Sequence, residues 1–206
     1  MQAALKIPFI TVEEYLARER EAEYKSEYFN GEIFAMAGAS EPHNLITGNI
    51  FAKLHAQLEH RSCKVYPSDM RLKVSATGLC TYPDVMVICG EVQFDDDEDD
   101  TALNPTLIVE ALSKSTESYV RGAKFEHYGK LGSLREYLLV AQNRPRLELF
   151  TKQSAGRWTL AEFESLDDVA KLTSIDCELA IKDVYRKVAF KEAEAYKLRE
   201  PVQKSR

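Results

Sequence analysis

The sequence predicts an α/β fold, a mixed β-sheet flanked by helices. Three observations carry that reading. Segment 106–141 reads as strand, helix, strand, which implies a parallel pair joined by a right-handed crossover. Meandering strand patterns precede it, opened by an Asn30-Gly31 turn. Alternating runs from Arg146 to Phe163 follow it and add an antiparallel ribbon to the sheet.

At the N-terminal end, Thr11-Val12-Glu13-Glu14 has the form of a capping box and opens a short helix through about Arg20. Glu27 to Met36 then reads as a hairpin, because Asn-Gly between apolar alternations tolerates the positive φ of both turn residues. Gly38 to Pro42 is a loop. From His43 to about His60, Ile46, Ile50, Leu54 and Leu58 recur every four residues, so they line one face of an amphipathic helix.

Lys64 to Tyr66 and Met70 to Val74 read as strands, with a turn at Thr77-Gly78. Tyr82 to Cys89 is a further strand, in which Val85, Val87 and Cys89 alternate in direction with Asp84, Met86 and Ile88. Thr106 to Leu112 is a nearly unbroken apolar run, as expected of a central strand covered on both faces. A helix from about Glu117 to Leu131 and a buried strand over Glu136 to Ala141 complete the crossover unit. A short helix near Ile181 to Val188 closes the core.

Domain organisation follows from length and charge. The 206 residues make one expected domain, with a core over about 11–188 and a charged tail over about 189–206. Hydrophobic residues at 45% and charged residues at 29% exclude disorder for the bulk of the chain. With 27 basic against 33 acidic side chains, the net charge of −6 argues against coating nucleic acid by charge alone. No apolar run approaches the roughly 18 residues of a membrane span, and Met1 to Lys6 has no signal-like apolar core. A cytoplasmic protein without membrane attachment is expected. Cys63, Cys80, Cys89 and Cys177 form no C-x-x-C pair, so buried, reduced thiols are expected rather than a zinc site.

The chemistry is carried by charged residues inside apolar strands. Asp84 follows Pro83 at the opening of one strand, and Glu110 interrupts the apolar run of another. An ionised carboxylate is costly there unless it is paired or holds a metal. Two carboxylates on adjacent strands plus a backbone carbonyl make an all-oxygen site suited to magnesium. Lys124, on the helix that follows, is the candidate for stabilising phosphoryl charge. The alternative is a structural Glu110–Lys124 ion pair with Asp84 capping a turn.

Other charged groups read more weakly. His43, after Pro42 at a helix start, either reaches a site water or phosphate, or caps and meets solvent. Glu32 beside the Asn-Gly turn either projects into the cleft or is a surface charge. Asp95 to Asp100 reads as a solvated connection, and His127 and Tyr128 as helix packing. Arg71 and Lys73 share one side of a strand and face either phosphates or solvent. The Gly-rich phosphate loop, the G-x-S-x-G elbow and the H-E-x-x-H helix are all absent, which removes the common nucleotide-binding, serine-hydrolase and zinc-protease readings.

Taken in order, Tyr82-Pro83-Asp84-Val85-Met86-Val87, Val109-Glu110-Ala111-Leu112-Ser113-Lys114-Ser115-Thr116 and Arg121-Gly122-Ala123-Lys124-Phe125-Glu126-His127-Tyr128 form a specific combination. The chain resembles the Uma2 family of restriction-endonuclease-like proteins, within the PD-(D/E)XK nuclease superfamily. The resemblance spans roughly Thr11 to Val188 and includes Tyr28-Phe29-Asn30-Gly31-Glu32 and His43. It implies a restriction-endonuclease-like sheet, with Asp84, Glu110 and the Ala111 carbonyl as ligands of Mg²⁺ or Mn²⁺. The superfamily lysine normally stands two residues after the glutamate, where this chain has Leu112; Lys124 matches the migrated position on the next helix. Val120 stands where the family commonly has an acidic residue. Glu32 and His43 take supporting roles by the same resemblance.

The function expected on these grounds is a Mg²⁺-dependent endonuclease, a hydrolase of DNA phosphodiester bonds. Its alternatives are a nuclease-fold DNA-binding module without activity, and a structural or regulatory homodimer.

Overall fold

A computed structural model describes residues 9–190. Its first helix, α1 (Val12–Glu21), carries the expected capping box: the Glu14 amide donates to the Thr11 hydroxyl and the Thr11 amide to the Glu14 carboxylate. β1 (Ser26–Phe29) and β2 (Glu32–Ala35) form the hairpin, with Asn30 and Gly31 at φ 49° and 85°. α2 (Glu41–Leu58) starts two residues earlier than the periodicity suggests, because Ser40 caps it and Pro42 fits its first turn. Ile46, Ile50, Leu54 and Leu58 are its buried stripe, as the four-residue spacing predicts.

The next strands are β3 (Cys63–Pro67), β4 (Arg71–Val74), β5 (Leu79–Thr81), β6 (Val85–Cys89), β7 (Thr101–Ala102) and β8 (Leu107–Leu112). The predicted helix after β8 is made of three pieces: α3 (Glu117–Tyr119), a π-helical turn (Val120–Lys124) and α4 (Phe125–Tyr128). Then come β9 (Glu136–Ala141), β10 (Leu147–Lys152), β11 (Trp158–Phe163), β12 (Val169–Leu172), β13 (Cys177–Ala180) and α5 (Ile181–Val184).

The central sheet has the order β11-β10-β9-β8-β6-β3. Its β8–β9 pair is parallel, as the crossover requires, and its other pairs are antiparallel. A second sheet runs β2-β1-β5-β4-β7, and β12–β13 is a separate hairpin. Alternation sorts the central strands between two cores. Val85, Val87, Leu107, Val109, Ala111, Leu138 and Val140 pack with α2, the β12–β13 hairpin and α5. Met86, Ile88, Ile108, Leu112, Tyr137 and Leu139 pack with Leu72, Val74 and Leu79 of the second sheet and with Val120 and Tyr128. No helix among the described residues is long and apolar enough to cross a membrane.

Three expectations are corrected. Cys63 and Cys89 are directly paired on β3 and β6 and form a disulfide, so only Cys80 and Cys177 are buried free thiols. Their strand-like contexts were legible, but the register that opposes them was not. Asp95 to Asp100 is more than a solvated link: Asp95 pairs with Lys73, Asp96 and Asp100 with Arg20, and Asp100 with Arg71. Arg71 and Lys73 accordingly face neither solvent nor a free phosphate surface. Arg71 is buried, where it donates to Tyr82 and Thr101. The short strands β5, β7, β12 and β13 were not foreseen, since two to four residues give periodicity too little length to register. Of the expected charged tail, residues 191–206 lie outside the described residues.

Candidate active site

The site sits where β6 begins and β8 ends. Val85 pairs with Val109, so one further step of the antiparallel register sets Asp84 opposite Glu110. By the two-residue period both belong to the face of Met86, Ile108 and Leu112, the side of the second core. Asp84 follows Pro83 just outside β6. Its Oδ2 accepts from the Ala111 amide at 2.7 Å, and its Oδ1 lies 3.0 Å from His43 Nε2.

The other side of His43 is fixed too. Its Nδ1 is 3.1 Å from Gln142 Nε2, and that amide nitrogen also approaches the Ala111 carbonyl at 3.4 Å. Gln142 Oε1 accepts from the Ser40 hydroxyl at 2.9 Å. Because an amide nitrogen only donates, the neutral ring accepts at Nδ1 and directs its Nε2 proton to Asp84. Burial works against a charged His43, but the bond to Asp84 and the charges of Asp84 and Glu110 prevail and raise its pKa.

Glu110 is buried in the middle of its strand's polar interruption. Its Oε1 accepts from Lys124 Nζ at 2.9 Å and from the Tyr128 hydroxyl at 2.8 Å. Lys124 Nζ also lies 3.1 Å from Glu27 Oε1, which accepts from the Thr81 hydroxyl as well. Lys124 ends the π-helical turn and Tyr128 is four residues on, so one helix face delivers both to Glu110. Burial, reinforced by Asp84's charge and opposed by Lys124, pushes the Glu110 carboxyl up to about 7. Burial opposes the charge on Lys124, yet Glu110 and Glu27 outweigh it and hold the ammonium above its usual range. Burial and the Glu110 charge raise the Tyr128 phenol well above normal.

Asp84, Glu110, Lys124 and His43 are therefore brought together, and the Glu110–Lys124 ion pair of the structural alternative is present within the same cluster. Ala111 contributes more than a carbonyl, since its amide holds Asp84. Glu32 is not brought in: it lies exposed on β2, the edge of the second sheet, and Glu27 on the neighbouring strand reaches Lys124 instead. Tyr128 is a correction of another kind, a hydrogen-bond donor to Glu110 and not only packing. Gln142, Ser40 and Thr81 were missed. The spacing of Lys124 and Tyr128, and a polar Gln142 directly after an apolar strand, were the available signals. Among the described residues, no group of three or more His, Cys, Asp or Glu side chains is arranged to hold a metal. The donors on offer are two carboxylates and one backbone carbonyl.

The sequence model of the Uma2 family, described as "Putative restriction endonuclease", matches residues 12–182. The chain belongs to the Uma2 family. Two relatives from Synechocystis are similar along most of their length. The uncharacterized protein sll1609 is 38% identical over 162 residues, covering 79% of this chain and 92% of the relative. The uncharacterized protein slr1290 is 34% identical over 183 residues, covering 89% and 95%. A crystal structure from Anabaena variabilis, described as a putative nuclease belonging to DUF820, matches with a TM-score of 0.68 at 20% identity. That match covers 85% of this chain and 97% of the other, and the likeness is one of fold. This Uma2 chain has the restriction-endonuclease-like fold expected from its sequence.

Proposed function

We propose that this Uma2 protein is a nuclease that hydrolyses DNA phosphodiester bonds with Mg²⁺ or Mn²⁺. The observation that carries the reading is the meeting of Asp84, Glu110 and Lys124 at the ends of neighbouring central strands. The donor set fits the ion: carboxylate and carbonyl oxygens are hard ligands, and a small number of them suits a cation that keeps several waters. Asp84, Glu110 and the Ala111 carbonyl would hold it, and when bound it supplies an activated water and neutralises phosphate charge.

The remaining residues set the stage. His43 and the Ala111 amide fix the orientation of Asp84, while Tyr128 fixes that of Glu110. Lys124, held protonated by Glu110 and Glu27, presents a positive charge to the phosphoryl oxygens as charge develops there.

A plasmid-nicking and linear-DNA cleavage assay in Mg²⁺ or Mn²⁺ tests this. The wild type is expected to cut, and Asp84→Ala and Glu110→Ala to abolish both cutting and specific divalent binding in calorimetry. Highly purified wild type that cleaves neither DNA nor RNA with any divalent ion sinks the reading. Tight DNA binding in EDTA, undiminished by Asp84→Ala, would identify a binding module instead.

A further inference from the structure

A groove of about 240 Å³ opens beside Asp84, which forms part of its wall. Thr47, Gly48 and Phe51 of α2 form one side, and Pro67 and Ser68 another. Two features make it specific. First, no Lys or Arg lines it, and Asp84 contributes a negative charge, so it would repel a phosphate and suits an uncharged group. Second, Gly48 stands inside an 18-residue helix, where glycine costs about 1 kcal/mol relative to alanine. Nothing lies within 4 Å of the place a Cβ would occupy there, so packing does not require the glycine. A side chain at this position would stand at the groove wall.

We infer that the groove receives the sugar and base of the nucleotide adjoining the phosphate at the carboxylate site. This rests on the nuclease reading for the identity of the ligand, and adds where the strand lies. A volume of about 240 Å³ is of the order of one nucleoside, so a single unpaired nucleotide is the occupant it suits. Phe51, partly exposed and stacked on His55 with centroids 5.6 Å apart, offers the base an aromatic surface. The Thr47 hydroxyl donates to the His43 carbonyl at 3.0 Å, so towards a bound group it is left as an acceptor.

The test is Gly48→Leu, which adds bulk at the groove wall from a Cβ with no neighbour within 4 Å, with Gly48→Ala as the control for helix stabilisation. Binding of a fluorescently labelled single-stranded oligonucleotide is followed by anisotropy in low-salt EDTA buffer, alongside thermal melting and divalent-ion titration. Gly48→Leu is expected to weaken strand binding about tenfold or more, the scale of losing one base–aromatic stack. Its melting temperature should equal or exceed that of the wild type, and its divalent binding should be unchanged. Gly48→Ala should keep most of the strand binding. Wild-type affinity in Gly48→Leu, or no saturable strand binding by the wild type, overturns the inference. Failure of the two readings is distinguishable. A protein that cuts no nucleic acid but loses strand binding on Gly48→Leu keeps the groove and loses the nuclease. A protein that cuts DNA with an unchanged KM in Gly48→Leu does the reverse.

Discussion

Lys124 holds two carboxylates at once, and substituting it separates chemistry from architecture. Lys124→Met keeps much of the apolar stem and removes the charge. Because the proposed ligands are Asp84, Glu110 and the Ala111 carbonyl and not the lysine, divalent binding measured by calorimetry should survive at alkaline pH, where Glu110 is ionised. Cleavage should fall on the order of 100-fold or more, as expected when a cation aimed at transition-state charge is lost. If the folded variant cuts at the wild-type rate, Lys124 is not the phosphate-facing cation and Lys114 is the next residue to test.

Stability in EDTA gives an independent readout of the same residue. Glu110 has its folded pKa raised from 4.5 to about 7, so the folded state binds this proton more tightly than the unfolded state does. The contribution is fully present below 4.5 and lost as pH rises through about 7. Removing Lys124 takes away the group that opposes the rise. Between about pH 6 and about pH 8, Lys124→Met should therefore lose melting temperature more steeply than the wild type. Parallel profiles would mean that the two groups are not in contact.

At the scale of elements, the acidic stretch before β7 acts as a clasp. It joins α1 through Arg20 and β4 through Arg71 and Lys73. The Arg20 hydrogen bond is the first cause that lowers the Asp100 carboxyl from 3.8 to about 2. For a depressed carboxyl the sign is the reverse of Glu110: its stability is complete above 3.8 and lost as pH falls through about 2. Arg20→Gln returns Asp100 towards its ordinary value, so acid unfolding followed by circular dichroism should begin at a higher pH than in the wild type. Added salt should narrow the difference, since these side chains are partly exposed. Identical midpoints would show that the clasp contributes nothing. The π-helical turn is an element-scale feature of the site. It contains Arg121, which reaches Glu148, ends on Lys124, and leads into the helix that carries Tyr128 to Glu110.

For the molecule as a whole, the Cys63–Cys89 bond ties edge strand β3 to the strand that begins after Asp84, closing a loop with a sequence separation of 26. Chain-entropy arithmetic for such a loop gives roughly 3.5 kcal/mol of stabilisation, acting through the unfolded chain. Urea unfolding with and without reductant should therefore show lower stability for the reduced protein and a steeper denaturant dependence, because its unfolded state is less compact. Cys63→Ala should match the reduced wild type and be insensitive to reductant. Superimposable curves for oxidised and reduced wild type would argue against the cross-link.

What the sequence determined by itself was local or periodic. The capping box of α1, the Asn30-Gly31 hairpin, the buried stripe of α2 and the two-faced β8 strand were all readable. Each depends on neighbours a few residues away. Alternation also marked Asp84 and Glu110 as polar groups in strands that have no solvent face. The family motifs pointed to Lys124. Tertiary structure decided which groups complete the cluster. Whether Glu27 or Glu32 meets Lys124 depends on β1 lying inside the second sheet and β2 at its edge, a choice made by pairing with β5. Gln142 reaches His43 across 99 residues, and Cys63 faces Cys89 only because β3 and β6 pair in one register out of several. Such contacts are fixed by the simultaneous packing of two cores. A one-residue slip would turn Glu110 towards the opposite core, so the fold that buries the apolar strands is also what selects the site.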